Sequence, residues 1–116
     1  MVLIDDYVDA AGGDASAADS LSIIDNNTSA FCYRSSSEDA GVLSSHASGL
    51  AIDVNPWDNP YILTNGEIDP PGNPNYKTSG HFMSSASDTC VAAFLAAGFS
   101  WGGNWTGTKD YQHFVG

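Results

Sequence analysis

Positive charge is nearly missing from this chain: Arg34, Lys77 and Lys109 stand against 14 aspartates and glutamates, for a formal net charge of -11. A surface of that sign repels phosphate backbones and anionic lipid, which excludes nucleic acid and membrane surfaces as direct partners. Cysteine is scarce as well. Cys32 and Cys90 lie far apart in sequence and form no metal-binding pair of their own, so a disulfide and two buried thiols are equal readings. Long apolar runs are also missing, since no stretch approaches the roughly 20 residues that span a bilayer. The opening Met1-Val2-Leu3-Ile4-Asp5-Asp6 has neither the basic nor the apolar region of a signal peptide, and a soluble chain without an export address is expected.

What is present suffices for a fold. The chain has 116 residues of one continuous composition, which predicts a single domain over 1–116 with a modest core. Hydrophobic residues make up 42%, and three Trp, five Tyr and five Phe argue against disorder despite the acidity. The same acid excess suits a surface that works in high salt, where self-repulsion is screened.

Taken in order, Met1 to Asp9 has apolar residues at helical spacing and predicts a short helix stopped by Gly12-Gly13. Asp14 to Ser22 reads equally as a helical turn or a polar loop. Asp25-Asn26-Asn27-Thr28 forms a turn, and Ala30 to Arg34 a strand emerging from it. Leu50 to Val54 is extended, ended by Asn55-Pro56 and by Pro60, and a long loop with three prolines follows from Gly66 to Lys77. Asp88 or Ser87 caps a helix from Thr89 to Ala97 that stops at Gly98 and turns Val91, Phe94 and Leu95 toward the core.

The chemistry concentrates in Ser44-Ser45-His46-Ala47-Ser48-Gly49-Leu50-Ala51-Ile52-Asp53. His46 enters from a loop, Gly49 allows close backbone approach, and the strand delivers Asp53 at its end, so imidazole and carboxylate can converge. Asp110-Tyr111-Gln112-His113 supplies a second acid and a second imidazole. Together these make a set of two histidines and one carboxylate, with a spare acid. His81 has no residue at ligand spacing nearby and reads as structural before substrate-lining. Trp101 and Trp105 read as core and rim packing, and Arg34, the one arginine, as either a solvated cation or a donor fork near the site.

The frame Ser-x-His-x-x-Gly-x-Ala-x-Asp at 44–53 is followed by Asn55-Pro56, Asn59-Pro60-Tyr61, Gly98 through Trp105 and Asp110-Tyr111-Gln112-His113-Phe114. In that order these motifs resemble the zinc D-alanyl-D-alanine carboxypeptidases, in particular the branch with phage L-alanyl-D-glutamate endopeptidases, over roughly residues 31 to 114. The resemblance implies an α+β fold of the DD-peptidase/hedgehog type, a small mainly antiparallel sheet with packed helices. It implies Zn2+ held by His46, Asp53 and His113, with Asp110 as catalytic acid/base and Arg34 steadying the substrate carbonyl. Three protein ligands leave zinc a fourth position for water, as a catalytic site requires. The implied reaction is hydrolysis of a peptide bond in a short, D-residue-containing peptide. A phage-type lysin or a component of a virion or tail assembly, released by lysis, would suit a chain without a signal peptide or a wall-binding module. Val115 stands where the family pattern usually has an acid, which alters the support behind His113. The alternative is a non-catalytic module that keeps zinc for folding within a larger assembly.

Overall fold

A computed structural model of the protein describes residues 12–29, 46, 50–68 and 72–116. The helix expected over Met1 to Asp9, the strand at Ala30 to Arg34, and Cys32 lie outside these residues. The architecture is α+β. Among the described residues there are two α-helices, and five short strands form a three-stranded and a two-stranded antiparallel sheet.

Helix α1, Ala15–Ile24, settles the open reading of Asp14 to Ser22 in favour of helix. Its ends explain why. Asp14 Oδ1 accepts the Ala17 N–H at 3.3 Å, a side-chain cap on the first turn. At the other end Asn26 takes a left-handed φ of 54°, and the Asn26 and Asn27 N–H groups bond Ile23 and Ser22 carbonyls. Asparagine is among the few residues that adopt this conformation at low cost, so the helix stops there.

Strand β1, Ala51–Asp53, lies within the extended segment read from the sequence. It pairs with β5, His113–Val115, which also pairs with β3, Ser100–Trp101, giving the order β1-β5-β3. In register, Ile52 and Trp101 flank Phe114, while Asp53 faces His113 and Ala51 faces Val115. Alternation along a strand therefore assigns Phe114, Trp101 and Ile52 to one face and Asp53 and His113 to the other. One face builds the core and the opposite face builds the site.

The core consists of Met83, Val91, Trp101 and Phe114, with Phe94, Leu95, Phe99 and Tyr111 packed around it. Helix α2, Thr89–Ala96, covers that face. Asp88 caps it by accepting from Cys90 and Val91 N–H, and Gly98 closes it at a φ of 94°. The Gly98 and Phe99 N–H groups bond Leu95 and Phe94 carbonyls, and the Phe94 and Phe99 rings meet edge to face, the apolar contact that accompanies this stop. Phe94 stacks on Phe114 with ring centres 4.2 Å apart. Cys90 carries a free, half-buried thiol.

The second sheet joins β2, Tyr61–Ile62, to β4, Lys109–Asp110. Between the sheets, the fully buried Asn59 joins three segments. Its Nδ2 donates to the carbonyls of Asn55 and His81, its Oδ1 accepts the Met83 N–H at 2.7 Å, and its carbonyl accepts from Gln112 Nε2. A buried amide with all of these bonds made stabilises one arrangement of the loops; with any of them unmade it would cost about 1–3 kcal/mol. Within the expected proline-rich loop, the described residues include a 3-10 turn at Tyr76–Thr78.

Candidate metal centre

Asp53 is placed by its backbone before its side chain does anything. Its N–H and C=O both bond Ser29, at 2.8 and 2.9 Å, on the side of β1 away from β5. Val54 N–H bonds the Gln112 carbonyl, so the backbone bonds between β1 and β5 fall on either side of the Asp53–His113 pair. Facing residues in a pair of this kind bring their side chains closest together. Asp53 Oδ1 lies 3.2 Å from His113 Nδ1 as a result.

His46 completes the group. Its Nε2 stands 3.1 Å from Asp53 Oδ2, and its ring meets that of His113 edge to face at 5.2 Å. The carboxylate thus has one imidazole nitrogen on each oxygen. One ligand atom from each of His46, Asp53 and His113 lies within 4.8 Å of the others, with His46 and Asp53 buried and His113 half-buried. Two nitrogens and one oxygen at this spacing form a donor set that fits a divalent ion such as zinc.

The electrostatics keep the group ready. Burial by itself would raise the Asp53 carboxyl, but hydrogen bonds from His113 and His46 and their charge outweigh it and lower the pKa from 3.8 to about 2. Asp53 is therefore a carboxylate at neutral pH, as a metal ligand has to be.

Asp110 is on β4, which ends where the turn to His113 begins, and its Oδ1 is shielded from solvent. Opposite it across the two-stranded ladder is Tyr61. The turn after it is held by Trp101, whose Nε1 donates to the Tyr111 carbonyl at 2.9 Å, and by Tyr111 N–H on the Pro60 carbonyl. Trp101 is core, as its sequence context implies, while Trp105 is half-buried with its ring 5.6 Å from that of His113. Trp105 thus borders the candidate metal centre rather than serving as rim packing alone. Arg34 lies outside the described residues.

Two features had no clear sequence signal. His81 Nδ1 lies 3.2 Å from Asp58 Oδ2, a partner 23 positions away that local spacing does not reveal. Asp58 also accepts from Asn26 and Asn73, and its N–H bonds Asn26 Oδ1, so this carboxylate ties the end of α1 to both loops. Ser29 as the backbone partner of Asp53 is the other. Val115 shares the site face with His113 and pairs with Ala51 and Ser100.

No helix among the described residues is long and apolar enough to cross a membrane. Searches of curated proteins and of solved structures found no match. The family model for D-alanyl-D-alanine carboxypeptidase matches residues 37–115, a span that contains His46, Asp53, Asp110 and His113. With its site geometry and most of its length inside that match, the chain belongs to the D-alanyl-D-alanine carboxypeptidase family and is a peptidase of that family.

Proposed function

We propose that the protein is a zinc-dependent peptidase that hydrolyses a peptide bond in short, D-residue-containing peptides of the peptidoglycan-stem kind. The observation that carries this reading is the convergence of His46, Asp53 and His113, whose ligand atoms lie within 4.8 Å of one another. When bound there, zinc polarises the scissile carbonyl and lowers the pKa of water to about 7.

The chain's own residues do the rest. His46 and His113 supply neutral nitrogens, and Asp53 a charge that partly neutralises the ion. Asp110 takes the proton of the attacking water and returns it to the leaving amine. Arg34 offers its donors to the negative charge that develops on the carbonyl oxygen, a contribution of about 3 kcal/mol for comparable donors. The Trp105 ring beside His113 supplies an apolar wall for the residue flanking the scissile bond.

Zinc held only for folding is the competing use of the same ligands. The acid at Asp110, outside the three-ligand set, argues against it, because a purely structural site has no use for an additional acid beside an open metal position. The test is hydrolysis of synthetic stem peptides by the zinc-loaded protein, its loss on chelation, and its return on adding zinc. Failure to cleave any such peptide while holding one zinc would support the folding role instead.

A further inference from the structure

We infer that Gly102 is a positioning residue for Asp110, and that its missing side chain sets where the Asp110 carboxylate stands. The inference rests on the reading of Asp110 as acid/base given above.

The 3-10 turn Gly102–Asn104 packs directly against β4. A Cβ at Gly102 would lie 2.4 Å from the Asp110 carbonyl oxygen, 2.9 Å from Asp110 Cβ and 3.2 Å from its carbonyl carbon. All three neighbours belong to one residue. Gly102 is buried and does not have a positive φ, so the glycine is required for space and not for backbone freedom. Ordinary contact begins at 3.4 Å, and 3.4 minus 2.4 leaves about 1 Å that Asp110 would have to move.

Its surroundings leave the strand little room to move as a body. Asp110 pairs with Tyr61, Lys109 pairs with Ile62, and Lys109 Nζ donates to the Gly103 carbonyl at 3.2 Å. On the other side, Tyr111 is held through both its N–H and its carbonyl, by Pro60 and Trp101. A methyl at 102 therefore tilts Asp110 against fixed neighbours. Misplacement of a reacting group by 1 Å costs on the order of 100-fold in rate. At Gly103, by contrast, a Cβ would strike the Trp101 ring, so the two adjacent glycines serve different neighbours.

The experiment compares Gly102→Ala, Asp110→Ala and the double variant as zinc-loaded proteins on one stem peptide, with zinc stoichiometry and backbone amide NMR of each metal-free protein. Gly102→Ala is expected to lower kcat on the order of 100-fold with KM little changed. Zinc stoichiometry should be unaltered, and amide shifts should centre on Asp110 while those of His46 and Asp53 stay in place. The double variant should be no slower than Asp110→Ala alone, because Gly102 acts through Asp110. Near-normal activity of Gly102→Ala, or losses that multiply in the double variant, would overturn the inference while leaving the Asp110 reading intact. Full activity of Asp110→Ala would overturn both. Should Gly102→Ala fail to fold, Trp101→Phe keeps a ring over Phe114 but removes the bond to the Tyr111 carbonyl together with part of the indole packed beside Tyr111. Its smaller loss should vanish in the Asp110→Ala background, and persistence there would count against the inference.

Discussion

Asp53 and His113 face each other across the β1–β5 ladder, and their side chains meet at 3.2 Å on the sheet face opposite Phe114. The candidate metal centre is thus continuous with the core: the strand that places His113 on one side places Phe114 on the other. A register slip of one residue would exchange the two, which is why the apolar pattern of β5 also specifies the site.

Replacing the central carboxylate tests the donor set. Asp53→Asn keeps the shape but removes the charge and leaves a weaker oxygen donor between the two imidazoles. Zinc affinity should fall by at least about 100-fold, the upper range for residues that merely support ligands. Competition titration against a coloured chelator reads it directly. Unchanged affinity would remove Asp53 from the ligand set.

Asp58 should contribute to acid stability through the loop cluster it forms with Asn26, Asn73 and His81. Burial would raise its pKa, but hydrogen bonds from Asn73, His81 and Ser79 and the charge of His81 hold it below 3.8. A carboxyl with a depressed folded pKa stabilises the fold fully above its unfolded pKa, and that contribution is lost as pH falls through the folded value. Asp58→Asn should cost about 1–3 kcal/mol at neutral pH, because donors lose an acceptor, and should flatten the acid limb of stability. Urea melts of the metal-free protein between pH 7 and pH 3 would show both effects. A parallel shift of the whole curve would assign acid stability elsewhere.

Gly103 offers a packing test separate from chemistry. A Cβ there would come within 2.2 Å of the Trp101 indole, which itself sits over Phe114 in the core. Overpacking of this kind costs about 1–3 kcal/mol. Gly103→Ala should lower the urea midpoint accordingly with zinc stoichiometry kept, and a midpoint equal to that of the parent protein would show that the ring gives way freely.

Much of this was legible in the sequence, for local reasons. Asp88 and Gly98 bracket α2 because a carboxylate cap and a left-handed glycine act within one turn. Leu50 to Val54 contains β1 because its residues alternate between the faces of the sheet. His46, Asp53 and His113 could be named from motif order, and the structure brings them together. What stayed hidden depends on partners distant in sequence. Asp58 for His81, Ser29 for Asp53, and the three bonds that join Asn59 to His81, Met83 and Gln112 leave no local periodicity to read. Asp14 to Ser22 stayed open because its serines and aspartates suit turns as well as helix ends. The residue that ends the helix, Asn26, lies beyond that segment. Consecutive glycines beside Trp101 could have signalled a close approach, though not that one of them abuts Asp110.

The most direct test of a metal-activated peptidase is zinc content and stem-peptide hydrolysis measured side by side on the parent protein and Asp110→Ala. One equivalent of zinc in both, with hydrolysis only in the parent, is the expected result, and chelation should abolish that hydrolysis without unfolding the core around Phe114. Equal zinc in both with no hydrolysis by either, and unfolding on chelation, would contradict the account and make the ion a structural one.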